Sequence, residues 1–295
     1  MDGTWLALVL AGSVAHAGWN AIAKTVAGHG YVFVFCYQAL QAVLLLVGFA
    51  GVSLLAPGML GPAPNWIALG AGAVTGLLHM AYSLSLQTGY ERADMSVVYP
   101  TARGVGPLVT MLVAIAVLGQ RPGALGIIGG VLILVGITVV TLSGSRSGGS
   151  GRIGAGIRWG ALTGLAIAGY TLFDDFSVNR LGLSPVLYYG LGCACVGLLM
   201  APRVLHSAGA RAEVAFVVRR YGRQTLAVGL LSPTAYLLVL YAMQHVSVAL
   251  VAPLRETSII IGTLFAWWFF GERGLAPKLA GAGIVLAGIA CIAIV

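Results

Sequence analysis

Tyr99-Pro100-Thr101-Ala102-Arg103-Gly104-Val105-Gly106-Pro107 decides how this chain is read. The stretch lies in an apolar run, Met95–Leu118, long enough to cross a bilayer. It nevertheless carries two prolines, two glycines and an arginine, residues that a plain membrane anchor avoids. Each proline removes a backbone donor and clashes with the preceding turn, so the spacing predicts a helix kinked or unwound here. An arginine at membrane depth costs roughly 2.5–3.5 kcal/mol on insertion scales, a cost tolerated where the charge and freed carbonyls face a wet cavity. Val248-Ala249-Leu250-Val251-Ala252-Pro253-Leu254-Arg255-Glu256 repeats the pattern of proline followed closely by charge. The two stretches are read as paired walls of one central site, with Pro100, Gly104, Pro107 and Pro253 as hinges.

The composition fits that reading. The 295 residues are 59% hydrophobic and 8% charged, with mean hydropathy +0.97. A soluble domain carries about 25% charged residues, so the chain is read as an all-α integral membrane protein with the lipid bilayer as its surroundings. Gly72/Gly76, Gly126/Gly130 and Gly160/Gly164 have the spacing that lets membrane helices approach closely. The net charge of +8 comes from basic residues lying singly or in short loops, which reads as topology and not as nucleic-acid binding. Cys36, Cys193, Cys195 and Cys291 all sit in apolar runs without CxxC spacing, so neither a disulfide framework nor a metal site is expected. Ala15-His16-Ala17 imitates a signal-peptidase site, but no basic region precedes it; the segment is read as an uncleaved first helix.

Ten apolar runs of spanning length follow one another: Thr4–Ala23, Tyr31–Leu55, Trp66–Gln87, Met95–Leu118, Ala124–Leu142, Trp159–Val178, Pro185–Met200, Thr225–Gln244, Ser247–Phe270 and Pro277–Ile294. Ala210–Arg220 reads as a short interfacial helix with snorkelling arginines. A Gly/Ser/Arg linker over 144–158 separates two groups of five, 1–143 and 159–295; its GxGxxG match lies between membrane spans and is read as flexible chain. Aligning Pro100 with Pro253, and Trp19-Asn20 with Tyr170-Thr171, reveals an internal repeat. Because five is odd, the second copy must enter the membrane inverted. Inverted repeats with interrupted helices near the midplane mark secondary transporters. Lys24, Arg92, Arg146, Arg152, Arg158, Arg203, Arg211, Arg219, Arg220, Arg223, Arg273 and Lys278 fall in odd-numbered loops, whereas the even loops hold Arg121 and Arg180. The positive-inside rule therefore puts the odd loops in the cytoplasm and both termini outside.

Polar groups at membrane depth are the candidate ligand contacts. They are His16, Trp19 and Asn20 in helix one, His79 and Tyr82 in helix three, and Tyr99 and Arg103 in helix four. The second half adds Tyr170 and Asp174 in helix six, Tyr236 in helix eight, and Arg255 and Glu256 in helix nine. Tyr170 and Asp174 share one helix face, as do Tyr99 and Arg103. Arg255 and Glu256, being adjacent, are expected to point apart. A structural ion pair, Arg103–Glu256 or Arg103–Asp174, is the competing use of these charges. No HExxH, GxSxG or P-loop is present, so no catalytic residue, cofactor or metal is assigned.

His16-Ala17-Gly18-Trp19-Asn20 with Lys24, Tyr82 followed by Ala93-Asp94-Met95-Ser96-Val97-Val98-Tyr99-Pro100, Tyr170-Thr171-Leu172-Phe173-Asp174, Pro253 and Phe270-Gly271-Glu272-Arg273 together resemble the drug/metabolite transporter superfamily, in its EamA-type ten-helix branch. Gln120 stands where the first-half Gly-Glu-Arg turn usually has an acid; Glu272 keeps it in the second. Within the superfamily the chain looks most like bacterial amino-acid exporters of the YddG type. The resemblance implies a carrier of the bacterial inner membrane that exports aromatic and other neutral amino acids by alternating access, with a monomer sufficient. Trp19, Tyr82, Tyr99 and Tyr170 would then flank the side chain, Arg103 would attract the carboxylate, and Asp174 or Glu256 would meet the ammonium. Phosphorylated or phosphonate metabolites, held by Lys24, His79, Arg103 and Arg255, are the alternative, as are cationic drugs held by Asp174, Asp175 and Glu256. An intramembrane enzyme using His16 or His79 with Asp174 is the remaining one.

Overall fold

The computed structural model of the protein describes residues 3–23, 25–26, 29–92, 95–143, 153–258, 260–261 and 275–294. Lys24, Asp94, residues 144–152 and the Phe270–Arg273 motif lie outside the described residues, as do the side chains of Tyr99 and Pro100. Ten helices are described: α1 (Gly3–Ala23), α2 (Gly30–Leu55), α3 (Trp66–Arg92), α4 (Met95–Ala116), α5 (Gly123–Ser143), α6 (Ile153–Asn179), α7 (Pro185–Leu205), α8 (Ala208–Met243), α9 (Val248–Arg255) and α10 (Leu275–Ile294). No strand occurs among the described residues.

Helix starts follow capping chemistry. Ser184 precedes Pro185 and accepts from Leu187 N–H; Ser207 accepts from Ala210 N–H at 3.1 Å and Ser247 from Ala249 N–H at 3.2 Å. Each hydroxyl satisfies one of the orphan amides of a first turn. The α4–α5 turn uses glycine where the backbone goes left-handed, at Gly119 (φ 65°) and Gly123 (φ 71°).

Several expectations are corrected. α4 stays helical through Pro100 and Pro107, so the expected unwinding does not occur there. Tight packing holds it: a Cβ at Gly106 would lie 2.8 Å from Ile167 and 3.3 Å from the Gly164 carbonyl oxygen of α6. The ninth run does not form one long helix, because α9 ends at Arg255 and Glu256–Thr257 form a turn. The linker is shorter than 144–158, since Ile153–Arg158 already belong to α6. α8 absorbs the expected interfacial helix; Tyr221 (φ −119°, ψ 22°) breaks it into an outer piece, 208–220, and a spanning piece.

Helices α1–α3, α7 and α8 contain segments long and apolar enough to cross a membrane, and α4, α5 and α10 contain shorter apolar segments. With apolar side chains such as Val47, Leu54 and Leu198 on the outside, the chain is a multi-pass membrane protein. Helix packing has a two-fold pattern. α1 packs on α8 as α6 does on α3; α2 packs on α8 as α7 does on α3; and α2–α7, α4–α9 and α5–α10 pair with their own counterparts. Glycines set these crossings. Gly160 and Gly164 admit α4, Gly72 and Gly76 admit α7, and Gly129 and Gly288 meet between α5 and α10.

Candidate functional site

α4 meets its counterpart α9 through charge. Arg103 Nη1 donates to Glu256 Oε2 at 2.9 Å, and both side chains are buried. With Pro100 aligned on Pro253, Arg103 and Glu256 are equivalent positions, so this pair lies where the two halves face each other. Arg255 Nη2 donates to Glu256 Oε1 at 3.4 Å and to the Tyr170 hydroxyl at 3.5 Å, and its guanidinium lies 5.7 Å from the Tyr170 ring centroid. The expectation that Arg255 and Glu256 point apart is therefore corrected. Glu256, the C-cap of α9, keeps helical backbone angles (φ −72°, ψ −7°), and the two long side chains reach each other at their tips. Two guanidinium groups share one fully buried carboxylate, leaving one net positive charge at the end of α9. A cation is favoured at a helix C-terminus.

The break at α9 has its own hydrogen bonds. Pro253 cannot donate to the Ala249 carbonyl. Glu256 N–H and Thr257 N–H tighten onto the carbonyls of Pro253 and Leu254, both at 3.1 Å, and the Thr257 hydroxyl also donates to Leu254. The Arg255 carbonyl lies 3.2 Å from Ser13 Oγ of α1, whose one hydrogen it shares with the Val9 carbonyl at 3.0 Å. Ending the helix thus frees an acceptor that ties α1 to α9.

Asp174 lies at the other end of the Tyr170 face. It is fully buried and accepts from Thr75 Oγ1 at 2.7 Å, from the Tyr188 hydroxyl at 2.5 Å and from the Tyr236 hydroxyl. Three hydroxyls from α3, α7 and α8 thus stand where a cation was expected. The Arg103–Asp174 pairing does not form; Arg103 is engaged with Glu256. Asp175 instead accepts from Asn179 at 2.9 Å.

Aromatic rings join the two charged centres. His79 stacks on Tyr170 with centroids 4.2 Å apart, and Tyr236 meets His79 edge-on at 5.6 Å. Tyr82 lies 5.8 Å from Tyr170, and Tyr189 lies 4.8 Å from Tyr236. His79 Nδ1 is 2.9 Å from the Thr75 carbonyl oxygen; a carbonyl only accepts, so Nδ1 carries the proton. On α1, His16 and Trp19 meet edge-on at 5.1 Å, and His16 Nε2 and Trp19 Nε1 are buried without a hydrogen-bond partner. Asn20 donates to the His16 carbonyl within its own helix at 2.7 Å.

Of the residues expected at the site, Arg103, Arg255, Glu256, Tyr170, His79, Tyr82, Tyr236 and Asp174 form one connected cluster. His16 sits about one turn along α1 from Ser13, and Trp19 a further turn on, packed against the cluster of Phe33, Val217 and Val228. Among the hinge residues, Pro107 and Pro253 are buried, while a Cβ at Gly104 would meet nothing within 4 Å. Thr75, Tyr188 and Tyr189 were not singled out from sequence. Thr75 is recoverable in hindsight as the residue one turn before His79, whereas the tyrosine pair near the start of α7 imitates interface anchors. Among the described residues no group of His, Cys, Asp and Glu is placed to hold a metal. A cavity of about 470 Å³ lies elsewhere, between the α1–α2 and α7–α8 connections, lined by His29, Tyr31, Arg203 and Glu213.

A solved structure described only as "Crystal structure of protein" has the same fold, with TM-score 0.70 and 18% identity over 98% of this chain and 96% of that one. At that identity the likeness concerns fold alone. No curated protein matches the chain. Residues 154–294 match the model of the EamA-like transporter family. From α6 to α10 this membrane protein is therefore similar to the EamA-like transporter family.

Proposed function

We propose that the chain is a secondary carrier of small metabolites, chiefly aromatic and other neutral amino acids, working by alternating access. The observation that carries this is the buried cluster in which Tyr170 touches Arg255 through its hydroxyl and His79 through its ring. A cationic end beside an aromatic box suits a molecule with a carboxylate and an apolar side chain. The packing of α1–α5 against α6–α10 supports two repeats, 1–143 and 159–295, that rock about the α4–α9 contact. Export across a bacterial inner membrane, with odd-numbered loops cytoplasmic, completes the reading. In support of that grouping, the first and seventh loops lie together: His29 Nδ1 is 3.0 Å from Glu213 Oε1, and Arg203 lies over the Tyr31 ring.

The test is counterflow in proteoliposomes holding the purified chain, with labelled phenylalanine outside and unlabelled phenylalanine within. Saturable exchange is expected; its absence in folded protein would sink the amino-acid reading. Phosphorylated metabolites are the second reading, favoured by the net positive charge of the Arg103–Arg255–Glu256 cluster, and organophosphate exchange without amino-acid exchange would establish it.

A further inference from the structure

We propose that this site reads the carboxylate of its substrate and leaves the ammonium unread, so that 2-hydroxy acids are bound as well as the corresponding amino acids. The inference rests on the amino-acid reading for its choice of probes and concerns which charged group is recognised.

The first observation is which cations are engaged. Arg103 is committed to Glu256 at 2.9 Å. The Arg255 contacts, at 3.4 and 3.5 Å, are at the outer limit of hydrogen bonding, although its guanidinium is buried and offers five donors. The second is on α1. His16 Nε2 and Trp19 Nε1 are buried polar atoms without a partner, an arrangement that costs stability unless something fills it. The contact of Ser13 with the Arg255 carbonyl places the α1 face that bears His16, one turn on, against the end of α9. A carboxylate accepts about four hydrogen bonds. Arg255, Trp19 and a His16 ring carrying its proton on Nε2 supply donors of that kind.

The third observation concerns the acids. Asp174 accepts three hydroxyl hydrogens, Glu256 accepts from two guanidinium groups, and both are fully enclosed. Both carboxylates are already engaged and wholly enclosed, so an ammonium could reach neither without displacing the side chains around it. The aromatic box of Tyr170, His79, Tyr82 and Tyr236 takes the side chain whichever group stands at the 2-position. Arg255, and not Arg103, is then the residue that holds the substrate's acid.

Three probes with one ring separate the possibilities: phenylalanine, 3-phenyllactate and phenethylamine. Binding is read from the ligand-induced rise in unfolding temperature of the purified full chain. Phenylalanine and 3-phenyllactate are expected to bind within about threefold of each other, and phenethylamine roughly a hundredfold more weakly, as befits loss of a buried charge-assisted contact. Arg255→Gln should abolish the response to both acids. Trp19→Phe keeps an aromatic ring and removes the donor, and should weaken both acids by about tenfold in protein that still unfolds cooperatively. Phenethylamine binding as tightly as phenylalanine would overturn the proposal, as would phenylalanine binding without 3-phenyllactate, or failure of both acids to bind folded protein. Binding of 3-phenyllactate without phenylalanine would uphold the carboxylate assignment and refute the amino-acid reading instead.

Discussion

α4 and α9 carry the same pattern of proline followed by charge, yet α4 remains helical from Met95 to Ala116 while α9 ends at Arg255. The two also lean on their neighbours differently. With Trp19 aligned on Tyr170, Ser13 of α1 is the counterpart of Gly164 of α6. Gly164 lets α6 press against α4, where an added Cβ would lie 2.7 Å from Val105 and 3.0 Å from Gly106 N. Ser13 instead hydrogen-bonds the carbonyl that the broken α9 exposes. One joint is held by close packing, the other by a polar bond at a helix end. Close packing accompanies a proline-bearing helix that stays continuous. A polar partner meets the carbonyl that an interruption exposes, beside the Arg255–Glu256 pair.

The largest effect that bears on this contrast is expected from Glu256→Gln. It leaves the Arg103 and Arg255 guanidiniums buried without their shared carboxylate, and should destabilise the chain by about 3–5 kcal/mol. Pairing it with Arg103→Gln should recover part of that loss in thermal unfolding. If the double variant unfolds no later than the single, the charge pair is not what joins α4 to α9. Gly164→Leu should come next, at about 1–3 kcal/mol from overpacking the α4–α6 crossing. An unfolding temperature equal to that of the parent would show that close packing does not hold α4. Ser13→Ala removes one hydroxyl and should cost about 0.5–1.5 kcal/mol. The hydroxyl joint would be idle if hydrogen exchange at the Glu256 and Thr257 amides stayed unchanged. The smallest effect is expected at Gly104, where a methyl group meets open space within the α4 helix: Gly104→Ala should stabilise by about 0.5–1 kcal/mol. A loss of stability there would mean that α4 needs glycine freedom at that position after all.

Much of the architecture was legible beforehand because hydropathy is local. Runs of spanning length such as Tyr31–Leu55 became helices nearly as bounded, and serines before Pro185 and Val248 cap as their chemistry requires. The site was legible only as a set of polar groups at membrane depth. Asp174 reads from sequence as a charge seeking a cation, yet it is held by three hydroxyls from three other helices, α3, α7 and α8. Arg255 and Glu256 read as adjacent side chains diverging on a helix, yet their long side chains meet at the tips. Neither Tyr188 nor Thr75 bears a signal that separates a carboxylate ligand from an ordinary membrane-helix residue.

By itself the sequence determined that this chain lives in a bilayer, that it is built of helices in two related groups of five, and that proline and charge meet in α4 and α9. Those are consequences of residue-by-residue transfer energies and of backbone donors lost at proline, which need no knowledge of neighbours. Only the tertiary structure decided that Arg103 pairs with Glu256, that Asp174 accepts from hydroxyls, and that His16 Nε2 and Trp19 Nε1 are buried without a partner among the described residues. Pairing at membrane depth depends on which side chains distant in sequence arrive at the same few ångströms, because a buried charge takes whichever partner the helix crossings bring within reach.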